Sequence, residues 1–387
     1  MSGKKNGRSI IVLISTLRGL SEHMRSVIWQ PFALSLGASM SSLGGLESTY
    51  DLVKNLAQPF FGSGSDTLGR KRFLILREIL FTASMLLFVF SRTPAFLFLG
   101  IGLLGLSYAV EPVWYTFIAE ISDRANLASR YSLMYASYMG IGLIAPMMAG
   151  MLASSLGFSS VYTLSALFGL VSLLVVAKMI AETRSREASA KVALRKFMQS
   201  IRESIKPGRE LRGFYLSMAL DAISFGIGSR ILYGMLTKSH GYNLYMISLL
   251  ATSMTVSWAI VQMPLGKLID RVGYKYSLII SQVLSSVYIG GLILTQSLWM
   301  VVILQALLGV AAALWVPAEQ SWIASKVEPS KRGAYIGNYL AFKGLISFPA
   351  PFVGGLLFDG FGFSAPLYVN LAGAVIDVLL LYLLMRR

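Results

Sequence analysis

The sequence predicts an all-α membrane protein of twelve transmembrane helices, arranged as two six-helix bundles that repeat in the same orientation. Three observations carry this prediction: a membrane-like composition, basic residues confined to alternate loops, and an internal repeat. Of the 387 residues, 55% are hydrophobic and 13% charged, whereas soluble domains carry about 25% charged residues. Composition alone therefore favours a membrane protein.

The same composition excludes several kinds of site. The chain has no Cys and two His residues, which excludes zinc–thiolate centres and leaves little room for a histidine-rich metal site. It has no phosphate-binding loop of the Gly-x-x-x-x-Gly-Lys-Ser/Thr type, which disfavours an ATP-driven pump. The net charge of +16 comes from short basic clusters between apolar runs and indicates membrane topology. We expect no metal, no cofactor, no nucleic-acid partner and no enzymatic activity.

Twelve windows are long and apolar enough to cross a hydrocarbon core, which takes about 20 residues of helix. Each window is bounded by charged or turn-forming residues. We number them as spans 1 to 12, and they cover residues 10–37, 42–63, 73–91, 95–118, 131–156, 159–181, 213–237, 243–265, 276–297, 298–323, 335–357 and 364–385.

The loops between the spans differ in charge on the two sides of the membrane. One side carries little beyond Arg92 and Lys238. The other side carries the remaining basic clusters, including Lys4, Lys5, Arg8, Arg70, Lys71, Arg72, Lys275, Lys326, Lys331 and Arg332. Because basic loops stay in the cytoplasm, both termini are predicted to be cytoplasmic, in a multi-pass protein of the plasma or inner membrane. We expect a monomer surrounded by lipid.

The longest polar segment divides the spans six and six. It predicts an N-terminal bundle over residues 1–181, a basic cytoplasmic linker over 182–212 and a C-terminal bundle over 213–387. Apolar residues in the linker follow helical spacing, which indicates an amphipathic helix lying on the membrane surface. A solvated basic connector is the alternative.

The two halves align without gaps at an offset of 204 residues, which matches Gly62, Asp66 and Gly69 to Gly266, Asp270 and Gly273. The same offset pairs Gly105 with Gly309, Tyr131 with Tyr335, Tyr135 with Tyr339, Gly140 with Gly344 and Gly150 with Gly354. Copying six spans in one orientation gives two bundles related by an axis along the membrane normal. Such repeats predict a solute site between the bundles, near the middle of the membrane.

The first matched residues resemble a signature of the major facilitator superfamily, Gly-x-x-x-Asp-Arg/Lys-x-Gly-Arg-Arg/Lys, which follows the second span in that family. Residues 62–71 read Gly-Ser-Gly-Ser-Asp-Thr-Leu-Gly-Arg-Lys, and residues 266–275 read Gly-Lys-Leu-Ile-Asp-Arg-Val-Gly-Tyr-Lys. The first copy departs from the signature at Thr67 and the second at Tyr274. The resemblance covers the whole chain and implies the fold of that superfamily.

In that family the signature forms a cytoplasmic gate. The resemblance implies gating roles for Gly62, Asp66, Gly69, Arg70, Gly266, Asp270, Arg271 and Gly273. Glycine permits a tight backbone reversal, and the Asp can pair with Arg or face a helix N-terminus. A static latch that only fixes topology is the alternative. A further pattern, typical of the fifth span of proton-driven exporters, is partly matched at Gly142, Pro146 and Gly150, with alanine in place of two of its glycines. It gives a slight preference for export, and ordinary helix packing is the alternative explanation.

Ionisable side chains inside a membrane cost about 2.5–3.5 kcal/mol at a helix centre, so each one predicts a partner or a wet cavity. The resemblance implies that spans 1, 4, 7 and 10 line the central cavity. Glu78 and Asp377 lie on spans that the family places at the periphery, and we expect them to reach an interface or pair locally. The candidate cavity residues for solute and proton are Glu22, Arg25, Glu47, Asp51, Lys54, Glu111, Asp221, Arg230, Glu319 and Lys343.

Helical spacing places Glu47, Asp51 and Lys54 on one face of span 2, and Lys343 lies at a comparable depth on span 11. An ion pair between these two spans would either couple occupancy to conformation or be a permanent structural pair. Both interpretations stay open.

A carboxyl group in a poorly hydrated cavity takes up a proton more readily when no cation lies beside it. Glu111 has no basic residue within helical reach on its own span and is the first candidate for the proton carrier, followed by Asp221 and Glu22. Arg18 and Arg25 flank Glu22, so these three residues can form a self-neutralising cluster. Arg25 and Arg230 can instead bind an anionic solute group.

These features predict a secondary transporter of a small organic solute that works by alternating access, is coupled to protons and favours efflux. A proton-independent facilitator or importer of an anionic metabolite is the second hypothesis, suggested by the mixed acidic and basic cavity. A membrane sensor or scaffold that kept the fold and lost transport is the third. The predicted partners are a small solute, protons and membrane lipids.

Overall fold

A computed structural model of the chain describes residues 2–122, 127–183, 211–327 and 332–385. These residues form α-helices joined by short turns, with no strand among them. The predicted amphipathic helix of the linker lies outside the described residues.

The first six spans comprise eight helices. They are α1 (Ser2–Ser35), α2 (Met40–Leu68), α3 (Arg70–Phe90), α4 (Pro94–Ala109), α5 (Glu111–Glu120), α6 (Leu127–Ile141), α7 (Ala145–Leu156) and α8 (Phe158–Met179). Span 4 consists of α4 and α5, and span 5 of α6 and α7.

The last six spans also comprise eight described helices. They are α9 (Arg212–Gly228), α10 (Leu232–His240), α11 (Leu244–Val272), α12 (Tyr274–Leu294), α13 (Leu298–Lys326), α14 (Arg332–Ser347), α15 (Ala350–Phe361) and α16 (Ser364–Leu384). Span 7 consists of α9 and α10, and span 11 of α14 and α15. The prediction of an all-helical protein with twelve spans is confirmed.

Proline explains where three of the four broken spans restart. Pro112, Pro146 and Pro351 each occupy the second residue of a helix, in α5, α7 and α15. Proline has no N–H to donate, and the first turn of a helix is where that loss is tolerated. Pro317 lies inside α13, which continues through it. A proline by itself therefore does not interrupt a span, and the packing around it also decides whether the helix stops there.

Nine segments of the described chain are long and apolar enough to cross a membrane by themselves. The spans that fall short are α1, α2 and the α9–α10 pair. These are spans that carry ionisable candidates, including Arg18, Glu47 and Asp221. Two of these residues are buried, since Arg18 is 4% and Glu47 9% exposed. Burial within protein is what makes such residues tolerable in a membrane span.

Contacts divide the chain into a first unit, Met1–Gly37 with Thr49–Ser200, and a second unit, Ala38–Ser48 with Ile201–Arg387. The start of α2 is thus grouped with the second half of the chain, while the rest of α2 belongs to the first. The bundle boundaries at residues 181 and 212 stay predictions from the sequence.

The helices pack in the same order within the two units. In the first unit span 1 packs against spans 5 and 6, and span 3 against spans 4 and 6. In the second unit span 7 packs against spans 11 and 12, and span 9 against spans 10 and 12. Adding a Cβ to Gly105 would place it 3.0 Å from the Tyr50 carbonyl oxygen, and adding one to Gly309 would place it 2.5 Å from that of Met254. Both pairs are 204 residues apart, so the sequence repeat is also a repeat of close helix contacts.

Each unit has an apolar core built from equivalent positions. Ile14, Leu74 and Val110 lie in the first core, and Met218, Leu278 and Leu314 lie at the matching positions of the second. The bulkiest side chain moves by one turn: Trp114 and Ile118 of the first core correspond to Ala318 and Trp322 of the second. Volume is kept although the individual residues differ, as core packing requires.

Candidate functional site

A group of buried charged side chains in the first unit, the first-unit cluster, consists of Arg18 on α1 with Arg77 and Glu78 on α3. Arg18 donates from Nε and Nη2 to Glu78 Oε1 at 2.8 and 2.6 Å, and Arg77 Nη1 donates to Glu78 Oε2 at 2.9 Å. Glu78 is fully buried, and both arginines are 4% exposed. Each carboxylate oxygen therefore receives a charge-assisted hydrogen bond, the strong kind.

Glu111 balances the charge of the first-unit cluster. Two arginines and one glutamate would bury a net positive charge, which is costly in a membrane. Glu111, the first residue of α5, interacts electrostatically with both Arg18 and Arg77. Its Oε2 atom is buried and makes no hydrogen bond to any residue that the structure describes. Glu111 thus faces cations from two other spans, although its own span offers none.

Arg25 pairs within its own helix, since its Nη2 atom donates to Glu22 Oε1 at 2.9 Å. Arg18, the third member of the proposed self-neutralising cluster, pairs with Glu78 instead. That part of the prediction is wrong because Glu78, buried on another span, also needs a cation. Of the two expectations for Glu78, local pairing holds, with Arg77 beside it and Arg18 on α1, whereas its fully enclosed carboxylate does not reach an interface.

A second group of charged side chains, the second-unit cluster, is centred on Lys343 of α14. Lys343 Nζ lies 2.6 Å from Glu319 Oε1 on α13 and 3.9 Å from Asp221 Oδ2 on α9. Tyr339, one turn before Lys343, donates its hydroxyl to the same Glu319 oxygen. Gln282 on α12 donates from Nε2 to Asp221 Oδ1 at 3.2 Å. Three candidate cavity residues from three separate spans are therefore brought together.

The two clusters differ in their charge balance. The first-unit cluster with Glu111 has two cations and two carboxylates, so it is neutral when all four groups are ionised. The second-unit cluster has two carboxylates, Asp221 and Glu319, around the single ammonium of Lys343. Burying a net negative charge costs free energy, and binding a proton removes that charge. The second-unit cluster is therefore suited to proton uptake, whereas the first is suited to fixing structure.

The repeat places different chemistry at equivalent positions of the two clusters. Glu78 on α3 corresponds to Gln282 on α12. Glu78 accepts hydrogen bonds from Arg18 on α1, and Gln282 donates one to Asp221 on α9. The Tyr135 hydroxyl donates to that of Tyr115 at 3.4 Å, and at the same positions of the second unit the Tyr339 hydroxyl donates to Glu319. Equivalent positions therefore hold two tyrosines in the first unit and a tyrosine with a glutamate in the second.

On the predicted polar face of α2, Glu47 belongs to the second unit and is paired within it. Glu47 Oε2 lies 3.3 Å from Arg230 Nε, so these two candidates pair with each other. Asp51 and Lys54 are half-buried on the same helix, and the Lys54 ammonium lies 5.8 Å from the Tyr50 ring centroid. The ion pair between span 2 and Lys343 stays a prediction, and within the second unit Lys343 has Glu319 and Asp221 as partners.

Asp359 on α15 caps the start of α2. Its carboxylate oxygens accept hydrogen bonds from the backbone N–H groups of Met40 and Ser41, at 3.2 and 2.8 Å. Lys238 Nζ lies 3.3 Å from the same carboxylate. A carboxylate at a helix N-terminus satisfies donors that have no partner within the helix and faces the positive end of the helix dipole.

The first copy of the gating signature forms an ionic latch. Gly69 has a φ of +100°, a conformation that glycine adopts without strain. The Arg70 guanidinium, 3% exposed, donates to Asp66 and Ser65 and lies 3.2 Å from Glu120 at the end of α5. Asp66 and Arg70, the predicted gating residues, therefore link the end of span 2 to span 4.

Glu182, just after α8, closes the same latch by capping α3. Its carboxylate accepts hydrogen bonds from the backbone N–H groups of Arg70 at 2.7 Å and Lys71 at 3.2 Å. A Cβ on Gly69 would collide with this carboxylate. Glycine is thus required here both for its backbone conformation and for the space that Glu182 occupies.

The second copy of the signature keeps the backbone but lacks the latch. Gly273 has a φ of +90°, matching Gly69. Tyr274 stands at the position of Arg70, while Asp270 and Arg271 are exposed and form no hydrogen bond or ion pair with other residues in the described ranges. Adding a Cβ to Gly62 or Gly266 would meet no described atom within 4 Å. Close helix approach therefore does not explain those two glycines.

Sequence reasoning missed Arg77, Tyr339 and Glu182, and it named Glu78 without including it among the site residues. For Arg77 and Glu78 a signal existed, because two adjacent charges in the middle of an apolar span must find partners. Tyr339 was visible only as a repeat partner of Tyr135. Nothing in the sequence indicated that Glu182 would cap α3, because that contact joins residues 112 apart.

Comparison with known proteins identifies a matching family, a curated relative and solved structures of the same fold. A family model described as Major Facilitator Superfamily matches residues 11–228 and again residues 214–387. Multidrug resistance protein MdtG of Salmonella paratyphi A (strain ATCC 9150 / SARB42) is 26% identical to this chain over 332 residues, covering 84% of this chain and 80% of that protein. The overlapping family matches together extend over nearly the whole chain.

Solved structures show the same fold at low sequence identity. The nucleoside transporter NupG superposes with a TM-score of 0.79 at 14% identity, covering 98% of this chain and 99% of that one. A bacterial homologue of the human lysosomal transporter Spinster superposes with a TM-score of 0.79 at 15% identity, covering 99% and 97%. At such identities the likeness extends to the fold alone.

Proposed function

We propose that this chain, which belongs to the major facilitator superfamily of transporters, couples the export of a small organic solute to proton uptake by alternating access. The observation that carries the proposal is the second-unit cluster, where Asp221 and Glu319 share the ammonium of Lys343. An excess of one buried carboxylate gives a proton a place to bind, and the proton changes which groups Lys343 pairs with.

Asp221 is the proposed proton carrier. Glu319 lies 2.6 Å from Lys343 and also accepts a hydrogen bond from the Tyr339 hydroxyl. Asp221 lies 3.9 Å from Lys343, and among the described residues its carboxylate accepts one hydrogen bond, from the Gln282 amide. The carboxylate with the weaker partners is the one that gains more from protonation. Glu111, the first candidate from the sequence, ranks below Asp221 because it faces two cations, Arg18 and Arg77, whereas Asp221 shares one ammonium with Glu319.

Protonation of Asp221 would leave Lys343 paired with Glu319 alone, in a neutral cluster. Loss of the proton restores a net negative charge that must find a compensating cation or water. A conformational equilibrium shifts only when a ligand binds its two states with different affinity. A proton that is bound in one state and released in the other meets this requirement and can drive the solute step.

The direction of transport is supported by the relatives. The matched curated proteins are named multidrug resistance proteins, which favours the export of organic compounds. The exporter-like pattern at Gly142, Pro146 and Gly150 points the same way, and span 5 breaks at residues 142–144. We place the protein in the inner membrane with both termini in the cytoplasm, as the loop charges predict.

The alternative of an anion carrier is less well supported by the charge partners. Arg18 and Arg77 bind Glu78, Arg25 binds Glu22, and Arg230 lies beside Glu47. An anionic solute group would therefore have to share its arginine with a carboxylate already bound there. The excess of carboxylate in the second-unit cluster suits a proton or a cationic group better.

The test begins with thermal stability of the purified protein against a library of organic cations, anions and neutral compounds at acidic and alkaline pH. A ligand stabilises the state that it binds, so hits name the solute for a flux assay in proteoliposomes. Solute flux is expected to follow an imposed pH gradient. In Asp221→Asn the increase in flux caused by the gradient is expected to be about tenfold smaller, which is within the usual range of coupling free energies. Asp359→Asn is the matched control and should keep it.

Each alternative gives a different outcome in this assay. Flux that ignores the pH gradient in the unmodified protein would contradict proton coupling and favour a facilitator. No bound solute and no flux across the whole library would contradict transport and favour a membrane sensor. Flux of anionic compounds that survives Asp221→Asn but is lost in Arg230→Gln would favour the anion carrier.

A further inference from the structure

Asp377 is a second buried carboxyl group near the second-unit cluster, and the proposed transport step does not use it. It lies on α16, the last span, and is fully buried. Its Oδ1 atom accepts a hydrogen bond from the Ser217 hydroxyl on α9. Its Oδ2 atom is buried and has no hydrogen-bond partner within the described part of the chain. Of the two sequence expectations for Asp377, reaching an interface is excluded by this burial, and its local partner is the Ser217 hydroxyl.

Among the described residues, no charged group on the neighbouring helices is a cation paired with Asp377; Arg212, the cation on α9, is exposed at the start of that helix. Asp221 on α9 and Lys343 on α14 interact with it electrostatically, but Lys343 is already paired with Asp221 and Glu319. On α12 the charged residue is Lys275, whose ammonium donates to the Tyr382 carbonyl oxygen at 2.7 Å.

The remaining neighbouring helix, α15, adds no cation either. Its charged residue is Asp359, which caps α2 and pairs with Lys238. An ionised Asp377 would thus be a third anion near one ammonium, fully removed from water and stabilised by one neutral hydroxyl. A buried carboxylate in such surroundings is strongly disfavoured relative to its neutral acid.

We propose that Asp377 is a proton-binding site that holds its proton on Oδ2 and is coupled to Asp221. The neutral acid fits the geometry on both oxygens, because the carbonyl oxygen Oδ1 accepts from Ser217 while Oδ2 carries the hydrogen. Ionising either carboxyl group makes the other harder to ionise, so the two titrate as a pair. This inference deepens the proposed function, because it gives the second unit two proton-binding sites where the transport step uses one.

The position of Asp377 gives it a specific place in the transport cycle. Ser217 and Asp221 are four residues apart on α9 and lie on the same face, about 5–6 Å apart between Cβ atoms. Ser217 is nearer the start of α9, which follows the basic linker. Asp377 thus lies between Asp221 and the predicted cytoplasmic face.

Infrared spectroscopy tests the proposal directly, because protonated carboxyl groups absorb apart from carboxylates and amides. Spectra of the full-length protein in lipid nanodiscs are recorded as a function of pH, in light and heavy water. Asp377→Asn is expected to remove one protonated-carboxyl band, since Asn keeps an oxygen that accepts the Ser217 hydroxyl. Asp359→Asn is the matched control and should remove none, because the Asp359 carboxylate is bound by two amide groups and an ammonium.

Two further variants keep the test decisive if Asp377→Asn fails to fold. Ser217→Ala removes the hydrogen bond to Oδ1 and should shift the frequency of the Asp377 band. Asp221→Asn removes the neighbouring negative charge, so the Asp377 band should disappear at a lower pH than in the unmodified protein. A frequency and a titration unchanged by both variants would overturn the proposal.

The result also separates this inference from the proposed function. All protonated-carboxyl bands surviving in Asp377→Asn would overturn the proton site, even if flux follows a pH gradient. Loss of the band in that variant would support the site, even if flux ignores the gradient and the transport proposal fails.

Discussion

Replacing Glu78 by Gln tests whether the first-unit cluster holds the first unit together. The change removes the anion that receives three hydrogen bonds of 2.6 to 2.9 Å from Arg18 and Arg77. Both guanidinium groups stay buried, and Glu111 is left as the carboxylate that interacts with both of them. Breaking a buried ion pair by removing one partner costs about 3–5 kcal/mol. We expect the free energy of unfolding to fall by that amount.

The measurement is reversible unfolding in mixed micelles, followed by tryptophan fluorescence. Asp270→Asn is the matched control, because Asp270 is an exposed carboxylate on a membrane helix, and surface substitutions usually change stability by less than about 0.5 kcal/mol. Adding Arg18→Gln to Glu78→Gln removes one of the orphaned cations. The double variant should therefore lose less than the sum of the two single losses, by about 0.5–3 kcal/mol.

Two results would refute this reasoning. A loss below about 1 kcal/mol for Glu78→Gln would show that the pair behaves like an exposed one. Strictly additive losses in the double variant would show that Arg18 and Glu78 do not interact energetically, whatever their distance.

Two further predictions concern the latch and the topology. Gly69→Ala should lower the free energy of unfolding by about 1–3 kcal/mol through backbone strain, and by a further amount because the Glu182 cap on α3 is lost. The matched control is Gly273→Ala, because Gly273 has a φ of +90° and open space at its Cβ position. That variant should show the loss from strain alone. Equal losses in unfolding measurements would contradict the latch. Because the chain has no Cys, single Arg92→Cys and Arg72→Cys variants can be labelled with an impermeant maleimide. Arg92→Cys should react in intact cells and Arg72→Cys only after permeabilisation, and the reverse pattern would invert the predicted orientation.

The sequence by itself determined the number of spans, their helical nature and the duplication. Each transmembrane helix satisfies its own backbone hydrogen bonds, so the local apolar content of the described chain locates nine of the twelve spans, and the charged and turn-forming residues at their ends help to locate the others. The repeat was recognisable in the sequence because a turn with positive φ requires glycine. Gly69 and Gly273 are aligned in sequence and both have a positive φ. The same local logic identified most ionisable residues of the site, because charges are rare in membrane spans.

Only the tertiary structure decided which of these charges pair. Arg18 had Glu22 four residues away and still binds Glu78, which is 60 residues away. Lys343 is joined to Asp221 and Glu319 from two other spans, and this set the charge balance that distinguishes the two clusters. A side chain's nearest partner along a helix competes with every group that neighbouring helices bring to it, and a fully buried carboxylate has most to gain from a cation. Spacing along the sequence cannot rank those competitors, because burial exists only once the helices have packed.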